Sequence, residues 1–329
     1  MIKVFALSRT FYVASILPIR KGVVKKFEAI IGKFVWRGTF SLLRVALEEL
    51  KNVKTKGGLN LPCLSTMGKS LMASQSLRLL KSGDNRYTCH IDYWLGPLVG
   101  NIITGMGLQS LSPKDNSYFS ELGDNLASLM VSDVLTPASL NKLNNRQIYK
   151  SFSDFDIPKI VREAPSNADY DLAWKRLHSA YVRMDSRDIM YMLLHNKVPT
   201  PERLFRIGMK NDPYCLHCQQ ALVCDIEHLF CCCVRTEAAW ELIRGLLIKM
   251  RGSRGMIIAN FELLNLLFPV DEFEWEMVWL LTNFIRFSWD ILNAGGSMVK
   301  SEKLFENLCN KFKEDKFKLV IPGLCRIFN

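Results

Sequence analysis

Six of the ten cysteines in this 329-residue chain lie between Cys215 and Cys233, interleaved with His217 and His228. No other feature limits the fold so tightly, because thiols at that density must be ligated, cross-linked or buried. The chain runs Cys215-Leu216-His217-Cys218, then nine residues to His228, then four more to Cys233. That frame supplies three thiolates and one imidazole, a complete tetrahedral set for a structural Zn²⁺ with no open position for a substrate. The spacing therefore predicts a folding and binding element held by Cys215, Cys218, His228 and Cys233, not a catalytic metal. His217, Cys224, Cys231 and Cys232 are within reach of the same ion, so the register of the last ligand stays open.

Ligation is preferred over disulfides because the chain shows no secretory signal. The apolar stretch at 11–19 is approached through Lys3 and Arg9 and leads into Pro18-Ile19-Arg20-Lys21, with no small-x-small cleavage site. Ten cysteines then imply a reducing, intracellular compartment, nuclear or cytoplasmic. The most apolar run, 275–292, contains Asn283, Arg286 and Asp290 and is too short and polar for a membrane span. The expectation is a soluble protein with no membrane partner and no small-molecule substrate.

Charge is unevenly spread. Residues 1–60 hold 12 Lys+Arg against 3 Asp+Glu, and the other 269 residues hold 31 against 29. A basic segment on a nearly neutral body points to a polyanionic partner.

Hydrophobic periodicity is helical almost throughout. Val23, Val24, Phe27, Ile30, Ile31, Phe34 and Val35 share a helical face, with Lys25, Lys26, Lys33 and Arg37 elsewhere on the same helix. A basic glycine turn, Lys54-Thr55-Lys56-Gly57-Gly58, leads to Leu59-Asn60-Leu61-Pro62, and a helix is expected over 66–81. Residues 96–125 read as loops. Ala173, Leu177, Ala180 and Met184 carry one helical pattern, and Ile189, Met190, Leu193 and Leu194 the next. Trp240, Ile243, Leu247 and Met250 mark another helix, 274–292 a largely buried one with three tryptophans, and Leu304, Phe305, Leu308 and Phe312 a last one. The fold class expected is predominantly α. It divides into a basic helical segment (1–62), a helical and loop connector (63–165), a helical segment with the zinc knuckle (166–250) and a helical tail (251–329).

In this order the pieces resemble the C-terminal region of non-LTR (LINE-type) retrotransposon reverse transcriptases. Ser15-Ile16-Leu17-Pro18 followed by residues 24–38, ending Phe34-Val35-Trp36-Arg37-Gly38, is similar to that family's thumb helix. Lys56-Gly57-Gly58-Leu59-Asn60-Leu61-Pro62 is similar to its Gly-Gly-Leu-x-Leu-Pro turn. The stretch from Leu193 through His195, Pro199 and Leu204 to the cysteine cluster, with Glu227-His228-Leu229-Phe230 and Trp240, resembles its zinc-binding segment.

The resemblance implies a thumb-like helix, a zinc knuckle and a nucleic-acid partner, RNA or DNA. Lys25, Lys26, Lys33 and Arg37 would track phosphates, as would Lys197, Arg203, Arg206 and Lys210 before the knuckle. Tyr214 and Phe230 offer aromatic faces for stacking, or a miniature core. The polymerase palm requires adjacent metal-binding aspartates, and this sequence has no Asp-Asp pair. The expectation is a non-catalytic, truncated remnant of such an element. A protein-interaction scaffold is the alternative. A restriction-like nuclease in the tail, on Asp271 and Glu314-Asp315-Lys316, is a third reading.

Overall fold

The computed structural model describes residues 13–15, 17–35, 45–82, 89, 93–96, 98, 117–139, 142–156, 170–218, 222–252, 258–293, 298–315, 319 and 321–328. Among these the chain is mostly helical, without strands and with one isolated β-bridge between Tyr214 and Val223. It divides into two compact units, one of residues 1–52 and 60–159, the other of 53–59 and 160–329.

The first unit contains α1 (Lys21–Val35), α2 (Leu47–Lys51), α3 (Leu64–Ser82), α4 (Ser117–Val131) and α5 (Asn145–Asp156). Its core is apolar. Met72, Ala73 and Leu77 of α3 meet Leu122, Leu126 and Leu129 of α4 and Ile148 and Phe152 of α5. The helix expected over 66–81 is α3. The loop expected at 96–125 is corrected in part, because 117–125 lie in α4. Gly123, Asp124 and Asn125 interrupt the apolar letters there, yet Leu122, Leu126 and Leu129 fall on one face and are buried.

α1 packs on α3, but only part of its apolar stripe is covered. Ile31 is buried, whereas Val23, Ile30 and Phe34 are more than half exposed. Lys51 of α2 bonds Glu28 of α1 at 2.7 Å. Trp36 and Arg37, like most of 96–116, lie outside the described residues.

The second unit contains a 3₁₀ turn (Lys54–Lys56), α6 (Tyr170–Leu177), α7 (Met184–Leu194), α8 (Pro201–Arg206), a π turn (His228–Cys232), α9 (Glu237–Arg251), α10 (Asn260–Leu264), α11 (Glu274–Asn293), α12 (Ser301–Asp315) and α13 (Pro322–Phe328). α11 is the hub, packed on α7, α12, α9, α10 and α6. The expected helix at Trp240, Ile243, Leu247 and Met250 is α9, with all four side chains buried. Glu237 in its first turn and Lys249 and Arg251 in its last complement the helix dipole.

The pattern Ala173-Leu177-Ala180-Met184 does not continue as one helix. α6 stops at Leu177, Ala180 is exposed in the turn and Met184 is 83% exposed at the start of α7. Arg187 holds the turn, donating from one guanidinium nitrogen to the carbonyls of Ser179 (3.1 Å) and Val182 (3.0 Å).

The interior of this unit is partly polar. Arg176 is fully buried, donates to Glu274 at 2.8 Å and to the Leu266 carbonyl at 2.7 Å, and lies 3.9 Å over the Phe268 ring. Asp315 is buried and accepts from Arg183 at 2.8 Å and from the Trp279 indole at 3.0 Å. Buried charges are tolerated where an opposite charge and hydrogen bonds offset their desolvation.

The glycine turn is seated in the same unit. Gly57 has φ +81°, and its carbonyl accepts from the Tyr191 hydroxyl at 2.7 Å and pairs with His195 Nε2 at 2.8 Å. A Cβ at Gly57 would stand 2.8 Å from the Trp174 ring, so both the left-handed backbone and the close approach require glycine.

Candidate metal centre

The knuckle is assembled from a short hairpin and a widened helical turn. Cys215 N–H donates to the Leu222 carbonyl (3.0 Å) and Cys224 N–H to the Pro213 carbonyl (2.8 Å), which fixes Cys215 and Cys218 on one arm. α8 braces that arm. Thr200 caps its N-terminus by accepting from Arg203 N–H, Pro201 occupies its first turn, and Glu202 N–H donates to the Cys224 carbonyl at 3.2 Å. On the other arm, Asp225 accepts from His228 N–H at 2.7 Å. Along a regular α-helix a five-residue step lands about 140° round the axis. The π turn His228–Cys232 is wider, and it returns Cys233 toward the His228 side.

One donor atom from each of Cys215, Cys218, His228 and Cys233 lies within 4.8 Å of the other three. Cys233 Sγ is 3.8 Å from both Cys215 Sγ and Cys218 Sγ, and Cys218 Sγ is 3.4 Å from His228 Nε2. A tetrahedron with metal–sulfur bonds of about 2.3 Å has sulfur–sulfur edges of about 3.8 Å, and sulfur–nitrogen edges of about 3.6 Å. The donor set and its spacing therefore fit a Zn²⁺-sized ion with four protein ligands. Among the described residues it is the cluster of metal-ligating side chains that can hold an ion.

The electrostatics point the same way. Burial works to raise the Cys215 thiol, but backbone N–H groups of His217 and Cys218 and the His228 side chain outweigh it and bring it down to about 6. Burial and the charge on Cys215 push Cys233 up to about 12, although the Arg235 N–H partly offsets them. Thiols this close cannot all ionise without a cation among them.

The other candidates in the cluster stand apart. Cys224 is buried behind Cys215, and burial with the neighbouring negative charge pushes it up to about 12. Cys231 is also pushed up to about 12 by burial, and Cys232 and His217 are exposed. None of these four belongs to the tetrahedral group. All ten cysteines are free of disulfides.

Residues 159–240 match the family model described as zinc-binding in reverse transcriptase. The matched segment includes the whole donor set. No curated protein and no solved structure matches the chain.

The expected phosphate-binding residues fall in different settings. Lys25, Lys26 and Lys33 are exposed on α1, and Arg37 lies outside the described residues. Lys197 and Arg203 are half-buried, and burial, reinforced by Arg206, lowers the pKa of Arg203. Arg206 is exposed and paired with Glu202, and Lys210 is exposed on the turn after α8. Phe230 is fully buried and belongs to the knuckle's core, with Trp240 donating to its carbonyl. Tyr214 is 45% exposed.

The carboxylates of the nuclease reading are not gathered. Asp271 pairs with Arg251, Glu314 and Asp315 pair with Arg183, and Lys316 lies outside the described residues. No described helix is long and apolar enough to cross a membrane.

Sequence spacing alone did not expose Trp174, Tyr191 and His195 as the seat of Gly57. Tyr191 and His195 are one helical turn apart, and their ring centroids are 4.5 Å apart. Nothing in a linear reading connects them to a turn 134 and 138 residues upstream.

Proposed function

We propose that this chain is a non-catalytic, zinc-stabilised nucleic-acid-binding part of a LINE-type retroelement reverse transcriptase, acting in a reducing compartment. The observation that carries the reading is the tetrahedral spacing of three sulfurs and one nitrogen inside the segment matched as zinc-binding in reverse transcriptase. Cys215, Cys218, Cys233 and His228 would hold the ion. When bound, the Zn²⁺ supplies cross-linking of the two arms, since no ligand position is left over for substrate. The protein's own groups do the remaining work. Backbone N–H groups of His217, Cys218 and Arg235 are aimed at the Cys215 and Cys233 sulfurs and stabilise their charge.

Nucleic acid would be held largely through phosphates. Lys25, Lys26 and Lys33 are exposed along α1, and Lys210 stands beside the knuckle. Three thiolates around Zn²⁺ carry about one net negative charge, so attraction must come from these cations. If about six phosphates are contacted, affinity for RNA or DNA should fall by roughly a thousandfold between 50 and 200 mM salt. Replacing Lys25, Lys26 and Lys33 together by Ala should flatten the double-logarithmic salt slope by about two to three units. Unchanged affinity and slope in the triple variant would remove α1 from the binding surface.

The scaffold reading keeps one supporting observation. Phe205, Ile207, Met209 and Leu216 are exposed around the knuckle, and exposed apolar side chains on one small region are a feature of protein-contact surfaces. Binding of neither RNA nor DNA at low salt would favour it.

A further inference from the structure

Among the cavities bounded by the described residues, three adjoin the knuckle and differ in charge. The largest, of about 1010 Å³, is lined by Glu237 and Glu241 as well as Arg244. The second, of about 850 Å³, is lined by Glu202, Asp225 and Glu227 as well as Arg206. Both would repel a phosphate from part of their walls. The third holds about 260 Å³, and its described lining contains Lys210 and Arg235 and no carboxylate, with Cys215 of the donor set on one wall.

That third cavity also has aromatic walls from two separate elements. Tyr214 comes from the hairpin and Trp289 from the last turns of α11. Tyr214 is held in place by the backbone bonds on either side of it, Cys215 to Leu222 and Cys224 to Pro213. Trp289 is half-buried, with Phe230 behind it at a centroid distance of 6.3 Å. Arg235, at 6% exposure, brings a charge into the wall, and Lys210 brings an exposed one at the surface. The volume lies just below the range of about 300–1,000 Å³ usual for drug-sized ligands. A space of that volume is of the order of one nucleobase and far smaller than a helix.

We propose that this cavity is a seat for one nucleotide of a single-stranded RNA or DNA, with the base against Tyr214 and Trp289 and its phosphate against Lys210 and Arg235. The proposal rests on the nucleic-acid-binding reading above and adds a strand preference that phosphate contacts alone do not give. Bases in a duplex are paired and stacked on one another, so they cannot enter. Any base can stack on an aromatic face, so the seat discriminates single strand from duplex rather than one sequence from another.

The test uses the full chain, with fluorescently labelled oligo-uridine, oligo-thymidine and a duplex of equal length, read by anisotropy at fixed salt. Tyr214→Ala should weaken both single strands by about tenfold and leave duplex affinity unchanged, while Tyr214→Phe should bind like the parent. Uridine and thymidine strands losing affinity alike would assign the seat to the stacked base, and a loss confined to one would assign it to what distinguishes that strand, the sugar 2′-hydroxyl or the base 5-methyl. Metal content equal to the parent's shows that the alanine variant keeps its knuckle. Independently, photo-crosslinking of a halogenated-uracil strand to the unaltered chain should place adducts on Tyr214 or Trp289. Single-strand affinity unmoved by Tyr214→Ala, or adducts elsewhere only, overturns the seat while leaving phosphate binding intact. An unaltered chain that binds neither single strand nor duplex overturns both.

Discussion

The two units solve the same packing problem with different chemistry. Among the described residues the first buries no charged side chain: α3, α4 and α5 meet through leucines, Met72, Ile148 and Phe152, and its buried polar side chains are the neutral Thr66, Ser70, Ser76, Asn125 and Ser151. The second buries Arg176, Glu274, Asp315, Thr236 and Asn283 beside its apolar side chains, together with Cys215, His228 and Cys233 of the donor cluster, whose fourth member Cys218 is half-buried. Burial of apolar area is forgiving, because its cost of failure grows with the volume removed. Buried charges and thiols are unforgiving, because each needs its specific partner. The first unit should therefore respond to substitutions in proportion to size, and the second in proportion to lost partners.

The largest expected effect is at the metal. Cys215→Ser should abolish stoichiometric metal binding and increase backbone hydrogen exchange through residues 212–236, because ligation energy in such small sites is folding energy. Exchange in α3, α4 and α5 should stay at the parent level. Equal deprotection of both units would erase the distinction between them.

Next in size is a matched pair of core substitutions. Glu274→Ala leaves the Arg176 guanidinium without its carboxylate and should cost the second unit about 3–5 kcal/mol. Leu126→Ala removes a fully buried side chain from the first unit's core and should cost it about 2–5 kcal/mol. The comparison sharpens in the double variants. Arg176→Met with Glu274→Met should recover most of the stability, since replacing both members of a buried pair by apolar groups is often neutral. If Glu274→Ala proves nearly silent in denaturant melts of the second unit, the ion pair is ornamental and the contrast fails there.

The smallest effect concerns pH. Burial, reinforced by Lys54 and Arg187, lowers His178 to about 4, against an ordinary imidazole near 6.5. The unfolded chain then binds the proton more readily than the folded one. Stability linked to His178 is complete above pH 6.5 and declines as pH falls through that value toward 4. His178 is half-buried, so the decline should be modest. Measured against the parent with the same metal loading, His178→Gln should lose less stability between pH 7 and 4. Superimposable pH profiles would show that His178 titrates alike in both states.

Legibility in the sequence followed local periodicity and failed where contacts are remote. α9 was readable because its apolar residues recur at helical steps, α11 because apolar residues dominate it despite Asn283, Arg286 and Asp290, and the cluster of four donors because its spacing suits a tetrahedral set. α4 was hidden because Gly123, Asp124 and Asn125 mask the leucine face around them. The break after Leu177 was hidden because it depends on Arg187 reaching back to two carbonyls. The role of Gly57 was half-readable. Its place in a glycine turn was visible, but the aromatic seat of Trp174, Tyr191 and His195 exists only in three dimensions. Phe230 shows the limit for single residues, since an aromatic beside a ligand reads equally as a stacking face or a core, and here it is core.

The central claim is that Cys215, Cys218, His228 and Cys233 form one closed zinc site. Elemental analysis of the full chain, purified without chelator, tests it most directly when paired with the Cys215→Ser variant. The account predicts one zinc per parent chain, no zinc in the variant, and a zinc-bound Cys231→Ser control with parental content. Absence of stoichiometric zinc from the parent, or its retention in Cys215→Ser, would contradict it.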